Sequence, residues 1–165
     1  MLLNAENVFI FSDYWQKTRN NNAFYSNTIT TVLTMENKYN NPNKSVYHNK
    51  CIAFLNVSEK IRYVGIINRF GRTLSGKLRK NVKPLLSPGQ ARDEHFIESM
   101  RQQLRNSFES SIGKTIFSIT KNELVTLVLI PSKTNDDVLY YVTIDKDVPL
   151  DEVNNIINKV IGIEG

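Results

Sequence analysis

The run KIRYVGIINRFGRTLSGKLRKNVK, residues 60–83, opens with β-forming residues, turns at a glycine and ends in dense positive charge without a single carboxylate. It reads either as a nucleotide loop or as a β-hairpin, and the two imply different folds. Gly71 to Lys77 matches G-x-x-x-x-G-K, but the next residue is Leu78, where a phosphate loop needs a Ser or Thr hydroxyl for magnesium. A phosphate loop also leads straight from a strand into a helix whose first amides face the phosphates. Here Pro84 and a cap at Ser87 delay the next helix by several residues.

The hairpin reading fits better. Tyr63 to Arg69 is rich in β-formers, and Gly71 supplies the positive φ that a tight turn asks for. Arg72 to Leu78 then returns antiparallel, with Thr73, Ser75 and Lys77 sharing one face and Arg72, Leu74, Gly76 and Leu78 the other by strict alternation. Gly76 becomes a strand glycine and Lys77 a solvated lysine.

Downstream, Ser87, Pro88 and Gln90 form an S-P-x-Q start with the elements of a capping box. Phe96, Met100, Leu104, Phe108 and Ile112 then recur every fourth residue up to Gly113, which suits a left-handed stop. This spacing predicts one long helix, its stripe packed on a core or on a second copy. Lys114–Thr120, Leu124–Ile130 and Val138–Ile144 follow as three strands, the second apolar enough to be covered on both faces. A closing helix begins near Pro149, with Asp151 and Glu152 in its first turn and Leu150, Val153, Ile156, Ile157 and Val160 inward.

Upstream, Tyr47, Cys51, Phe54 and Leu55 predict a short helix that breaks at Asn56–Glu59. The first 43 residues hold asparagine clusters, which favour turns, beside Phe9, Phe11, Tyr14, Trp15, Phe24 and Tyr25. They read as an N-terminal extension, partly ordered or docking. Residues 44–165 are expected to form a single domain.

The whole chain of 165 residues, 41% apolar and 22% charged, has the composition of an ordinary globular protein. No apolar run approaches the roughly 18 residues a membrane helix needs. Lysine and arginine exceed the acids by 21 to 16, and the surplus lies in the middle, while Asp136, Asp137, Asp145, Asp147, Asp151 and Glu152 make an acidic end. One cysteine, Cys51, permits no internal disulfide and suits a small buried hydrophobe in a reducing compartment. With no secretory leader apparent, the expected location is cytoplasmic.

Chemistry-bearing constellations are sparse. His48 and His95 are far apart and lack His or Cys neighbours at metal-ligand spacing. No G-x-S-x-G elbow is present, and the acids follow turns and helix starts that need them structurally. No catalytic residue, metal site or cofactor is expected. Arg69, Arg72, Lys77, Arg79, Lys80 and Lys83, beside Tyr63 and Phe70, make an anionic-partner patch in which cations could meet phosphates and an aromatic could stack on a base.

The resulting order is α-β-β-α-β-β-β-α. Together with the hairpin IINRFGRTLS at 66–75 and the strands Leu124–Ile130 and Tyr140–Ile144, it resembles the roadblock-type dynein-light-chain family, with its longin and profilin-like relatives, over roughly residues 45–163. The segment IRYVGIINRFGRTLSGKLRK is also similar to a small uncharacterised archaeal family. The roadblock resemblance implies an α+β fold: a five-stranded antiparallel sheet, the long helix on one face and the terminal helices on the other. It also implies dimers built through the long helix and an adjacent sheet edge, a scaffolding or regulatory role with small GTPases or motors, and no catalytic residues. The expected function is thus a homodimeric, non-enzymatic regulatory module with Phe96, Met100, Leu104 and Phe108 as its dimer face. Two alternatives stand beside it: a nucleic-acid-binding domain using residues 60–83, and a PAS-like small-ligand sensor with a pocket between sheet and long helix.

Overall fold

The computed structural model describes residues 44–164; the extension read at 1–43 lies outside the described residues. Helix α1 spans Lys44–Leu55 and is followed by the hairpin β1 (Ile61–Asn68) and β2 (Thr73–Leu78). The long helix α2 (Pro88–Asn106) and the one-turn α3 (Glu109–Ile112) come next, then β3 (Ser118–Lys121), β4 (Val125–Pro131), β5 (Val138–Asp145) and the closing α4 (Leu150–Glu164). The strands form one antiparallel five-stranded sheet in the order β2-β1-β5-β4-β3. This is the α+β architecture that the sequence implied.

Alternation along the inner strands sends side chains to two unlike layers. Val64, Ile66, Val128, Ile130, Tyr140, Val142 and Ile144 face α1 and α4, where they meet Cys51, Phe54, Val153, Ile157 and Val160 in the main core. Phe54 packs edge-on to Tyr140, centroids 5.0 Å apart. The opposite face carries only Ile67, Leu127, Leu129, Leu139 and Tyr141, with Tyr63 beside them. β4 and β5 are buried on both faces, as the nearly unbroken apolar runs anticipate.

The hairpin departs from strict alternation. Pairing slips between Ile66↔Ser75 and Ile67↔Thr73, a β-bulge that absorbs Leu74 as an extra residue. Thr73 therefore lies on the α2 side, where it reaches His95, while Leu74 packs against the main core. The two glycines of the near-match to a phosphate loop have separate structural reasons. Gly71 has φ +74° and lies so close to α2 that a Cβ there would sit 2.4 Å from the Phe96 Cα. Gly76, paired with Gly65, leaves room for the Tyr63 ring, whose hydroxyl would be 2.4 Å from an added Cβ. Neither glycine opens a helix, so the segment is a hairpin.

The predicted capping box is present: Ser87 N donates to Gln90 Oε1 at 3.0 Å and Gln90 N to Ser87 Oγ at 3.3 Å. The far end differs from expectation, because α2 stops at Asn106 rather than continuing to Gly113. Ser107 Oγ donates back to Leu104 O at 2.6 Å, the kind of local bond by which Ser and Asn compete with a helical ladder. A fresh turn, α3, then ends at Gly113 with φ +85°. The first of the three later strands is also shorter than predicted, and Ile116, expected within it, is exposed. In α4 the predicted inward residues Val153, Ile156, Ile157 and Val160 are buried, whereas Leu150 in its first turn is exposed.

Candidate functional site

α2 is amphipathic in the reverse of the usual sense. The residues it buries are His95, Glu98, Ser99 and Gln102, spaced i, i+3, i+4, i+7 on one helical face, and all are polar. Leu104 stands nine residues beyond His95, about two and a half turns at roughly 3.6 residues per turn, hence on the opposite side. Phe96, Met100 and Leu104 point outward and are 53%, 37% and 66% exposed; Phe108, in the break after α2, is 59% exposed. Ile97 on α2 and Ile112 on α3 are exposed as well.

Local bonds satisfy most of the polar inner face, where a buried polar group without a partner is costly; Gln102 Oε1 is left without one. His95 Nδ1 and Thr73 Oγ1 are 2.9 Å apart. Glu98 takes a salt bridge from Arg101 at 2.5 Å, Ser99 Oγ donates to Phe96 O at 2.8 Å, and Gln102 Nε2 donates to Asn106 Oδ1 at 2.8 Å. The hairpin turn fixes the helix from the other side: Gly71 abuts the His95–Phe96 backbone and Gln103 Nε2 donates to Arg69 O at 2.5 Å. α2 is thus held to the sheet by polar bonds and close backbone contact, which leaves its apolar stripe available.

Burial alone lowers the His95 pKa to about 4, so the imidazole is neutral at physiological pH. It packs edge-on against Tyr141 at 4.6 Å and lies nearly parallel to Tyr63 at 6.2 Å. The carboxyl of Glu94, one residue earlier, is pushed up by burial and then by Glu98, against the opposing pull of Arg101. Cys51 is fully buried in the main core, and desolvation raises its thiol pKa, the reverse of what an activated nucleophile needs. His48 and His95 do not come together with acids or Cys51 in any group able to hold a metal among the described residues.

The basic segment divides in the structure. Arg79 turns inward, donating through Nε to Ile61 O at 2.6 Å and through Nη2 to Ser58 O at 2.6 Å and to Leu55 O. Its guanidinium therefore caps the carboxyl end of α1, a favourable site for a cation. Arg69 pairs with Asp137 at 3.0 Å, and Arg62, outside the proposed patch, pairs with Asp145 at 2.9 Å. Arg72, Lys77, Lys80 and Lys83 are exposed along β2 and the loop after it. No described helix is long and apolar enough to cross a membrane.

What residue-level reading did not find was the polar inner stripe of α2. Its signal was present: His95, Glu98, Ser99 and Gln102 recur at helical spacing just opposite the apolar series. Two stripes of unlike character on one helix do not by themselves say which faces the sheet.

No protein-family model matches the sequence, and no curated protein does. Solved structures do match. A gliding protein MglB from Thermus thermophilus aligns at 17% identity over 74% of this chain and 87% of its own, with a TM-score of 0.57. Myxococcus xanthus MglB aligns at 11% over 72% and 84%, with a TM-score of 0.55. A roadblock/LC7 domain from Streptomyces avermitilis aligns at 9% over 70% and 92%, with a TM-score of 0.53. The chain has the roadblock/LC7 fold.

Proposed function

We propose that this chain is a non-enzymatic regulatory interaction module that forms a homodimer through the outer face of α2. The observation that carries the reading is the outward stripe Phe96, Met100, Leu104 and Phe108. Phe96, Met100 and Leu104 share one exposed side of α2, with Phe108 exposed just beyond its end, and a grouped apolar surface of this kind marks an interaction site, whereas scattered exposed residues are ordinary. Self-association also follows from economy, because a stripe repeated on a second copy is complementary to itself about a two-fold axis. A solved MglB has a tetrameric arrangement, which supports assembly as a use of this fold. The roadblock likeness supports a small GTPase or another protein as the further partner of the dimer.

Light scattering at high protein concentration tests the first step. A mass of twice the 19.0 kDa chain is expected; a strictly single-chain mass defeats the dimer.

A second reading, an anionic partner such as nucleic acid on the basic hairpin, draws on Arg72, Lys77, Lys80 and Lys83, all exposed in a stretch with no acid. Arg69 and Arg79 contribute less to it, since one is paired and the other bonded to three carbonyls. Charge reversal at Lys77 and Lys80 should weaken nucleic-acid affinity and reduce its salt dependence. Binding that is absent, or indifferent to salt, rejects this reading.

A further inference from the structure

On the α2 side of the sheet, away from the outward stripe, lies a cavity of about 620 Å³. Its walls are apolar: Leu85 and Leu86 from the loop before α2, Ala91 from the helix's first turn, and Leu124 and Leu127 from β4 and its approach. Its floor includes Tyr141 and His95, which are only 5% and 3% exposed. Both keep polar valence in hand. His95 uses one ring nitrogen on Thr73, while its other nitrogen and the Tyr141 hydroxyl are not among the sealed, unpaired polar atoms of the described residues and so can meet a molecule in the cavity. An apolar cavity with a few accessible hydrogen-bonding groups on its floor has the usual form of a small-molecule site.

We infer that this cavity binds a small, uncharged aromatic molecule carrying one hydrogen-bonding group, its ring against Leu85, Leu86 and Leu127 and its polar group on Tyr141 and His95. The size falls within the roughly 300–1,000 Å³ of small-molecule sites. Aromatic character follows from the floor, where the Tyr141, His95 and Tyr63 rings already meet in edge-on and near-parallel pairs. Neutrality follows from the same surroundings, which keep His95 deprotonated and Tyr141 protonated through desolvation and would penalise an ionised ligand likewise. The lining favours no anion, since Arg62 is already paired with Asp145 and Lys83 is offset by Glu94 and Glu123. The site is separate from the proposed dimer face, although α2 contributes to both. A ligand here would touch the first turns of the helix whose outer side meets the second copy.

Titration of the full chain with N-phenyl-1-naphthylamine, an uncharged fluorescent aromatic amine, tests the site. Saturable binding of one probe per chain is expected, at least tenfold tighter than binding of the sulfonated analogue 1-anilinonaphthalene-8-sulfonate. Ala91→Trp fills the cavity, and Leu85→Asp places a charge on a half-exposed wall residue; each should weaken the probe at least tenfold. Leu104→Asp, on the outer stripe, should leave probe affinity unchanged even if it separates the dimer. The inference is overturned by an absence of saturable binding, by a probe affinity indifferent to Leu85→Asp, or by a sulfonated probe that binds as tightly as the neutral one. Loss of binding in Leu104→Asp also overturns it, because the probe would then occupy the outer stripe or the join between copies.

Discussion

α4 and α2 are both amphipathic helices on the same sheet, and they face it in opposite senses. α4 turns Val153, Ile156, Ile157 and Val160 into the main core, whereas α2 turns His95, Glu98, Ser99 and Gln102 to the sheet and its apolar residues outward. The difference teaches that an apolar stripe announces a partner without saying which one. For α4 the partner is the chain's own sheet. For α2 the polar bonds to the hairpin and the close approach at Gly71 occupy the inner side, and the stripe faces away from the sheet.

Removing a contact from each helix should separate the two roles. Ile157→Ala on α4 opens a void in the main core and should cost about 2–5 kcal/mol in urea unfolding, the usual range for a buried Ile or Leu truncated to Ala. A cost below 1 kcal/mol would mean that α4 is not seated as described.

The polar docking of α2 makes it sensitive to acid through His95, whereas the Val153, Ile156, Ile157 and Val160 contacts of α4 carry no titratable group. His95 has a pKa of about 4 in the fold against an ordinary 6.5, so below 6.5 the unfolded chain binds a proton that the folded one refuses. Stability should therefore fall as pH drops from about 6.5 to about 4, by roughly 3 kcal/mol over that window. Glu94, with its carboxyl raised, titrates in the opposite sense and offsets part of this loss. His95→Gln should flatten the fall, as measured by urea midpoints across the pH range. An unchanged slope would show that His95 is not held neutral against Tyr141.

A smaller effect is expected where the hairpin meets α2. Gly71→Ala adds a Cβ against the Phe96 backbone at a positive φ and should cost about 1–3 kcal/mol, the scale of one strained backbone site. The matching change at Gly113, also at positive φ but with nothing within 4 Å of an added Cβ, should cost less. Equal costs would assign both effects to the dihedral and none to the docking.

Much of the fold was legible because its signals are local. The capping box at Ser87, the turn at Gly71, the unbroken apolar run of β4 and the inward face of α4 each follow from a few neighbouring residues. What was not legible depends on residues distant in sequence. The bulge that carries Thr73 to the α2 side is a pairing slip against Ile66 and Ile67, invisible to alternation along β2 alone. The end of α2 at Asn106 turns on a Ser107 back-bond that outweighs a continuing apolar repeat. The orientation of α2 was undecided for the same reason, since the identity of its inner face is set by Thr73, Gly71 and Arg69 of the hairpin. Among the cations of residues 60–83, charge alone could not distinguish Arg79, whose carbonyl partners lie at the end of α1 and the start of β1, from exposed Lys80.

The claim that joins these observations is that the outer stripe of α2 is an interface and not a part of the monomer's core. Sedimentation equilibrium of the full chain beside Leu104→Asp, with urea unfolding of the two at equal pH, tests it most directly. The account predicts a two-chain mass for the wild type and a one-chain mass for the variant, with the variant's single-chain stability within about 0.5 kcal/mol of the parent's, as for an exposed surface change. A Leu104→Asp chain that stays at the parent's mass, or that unfolds outright, would contradict it.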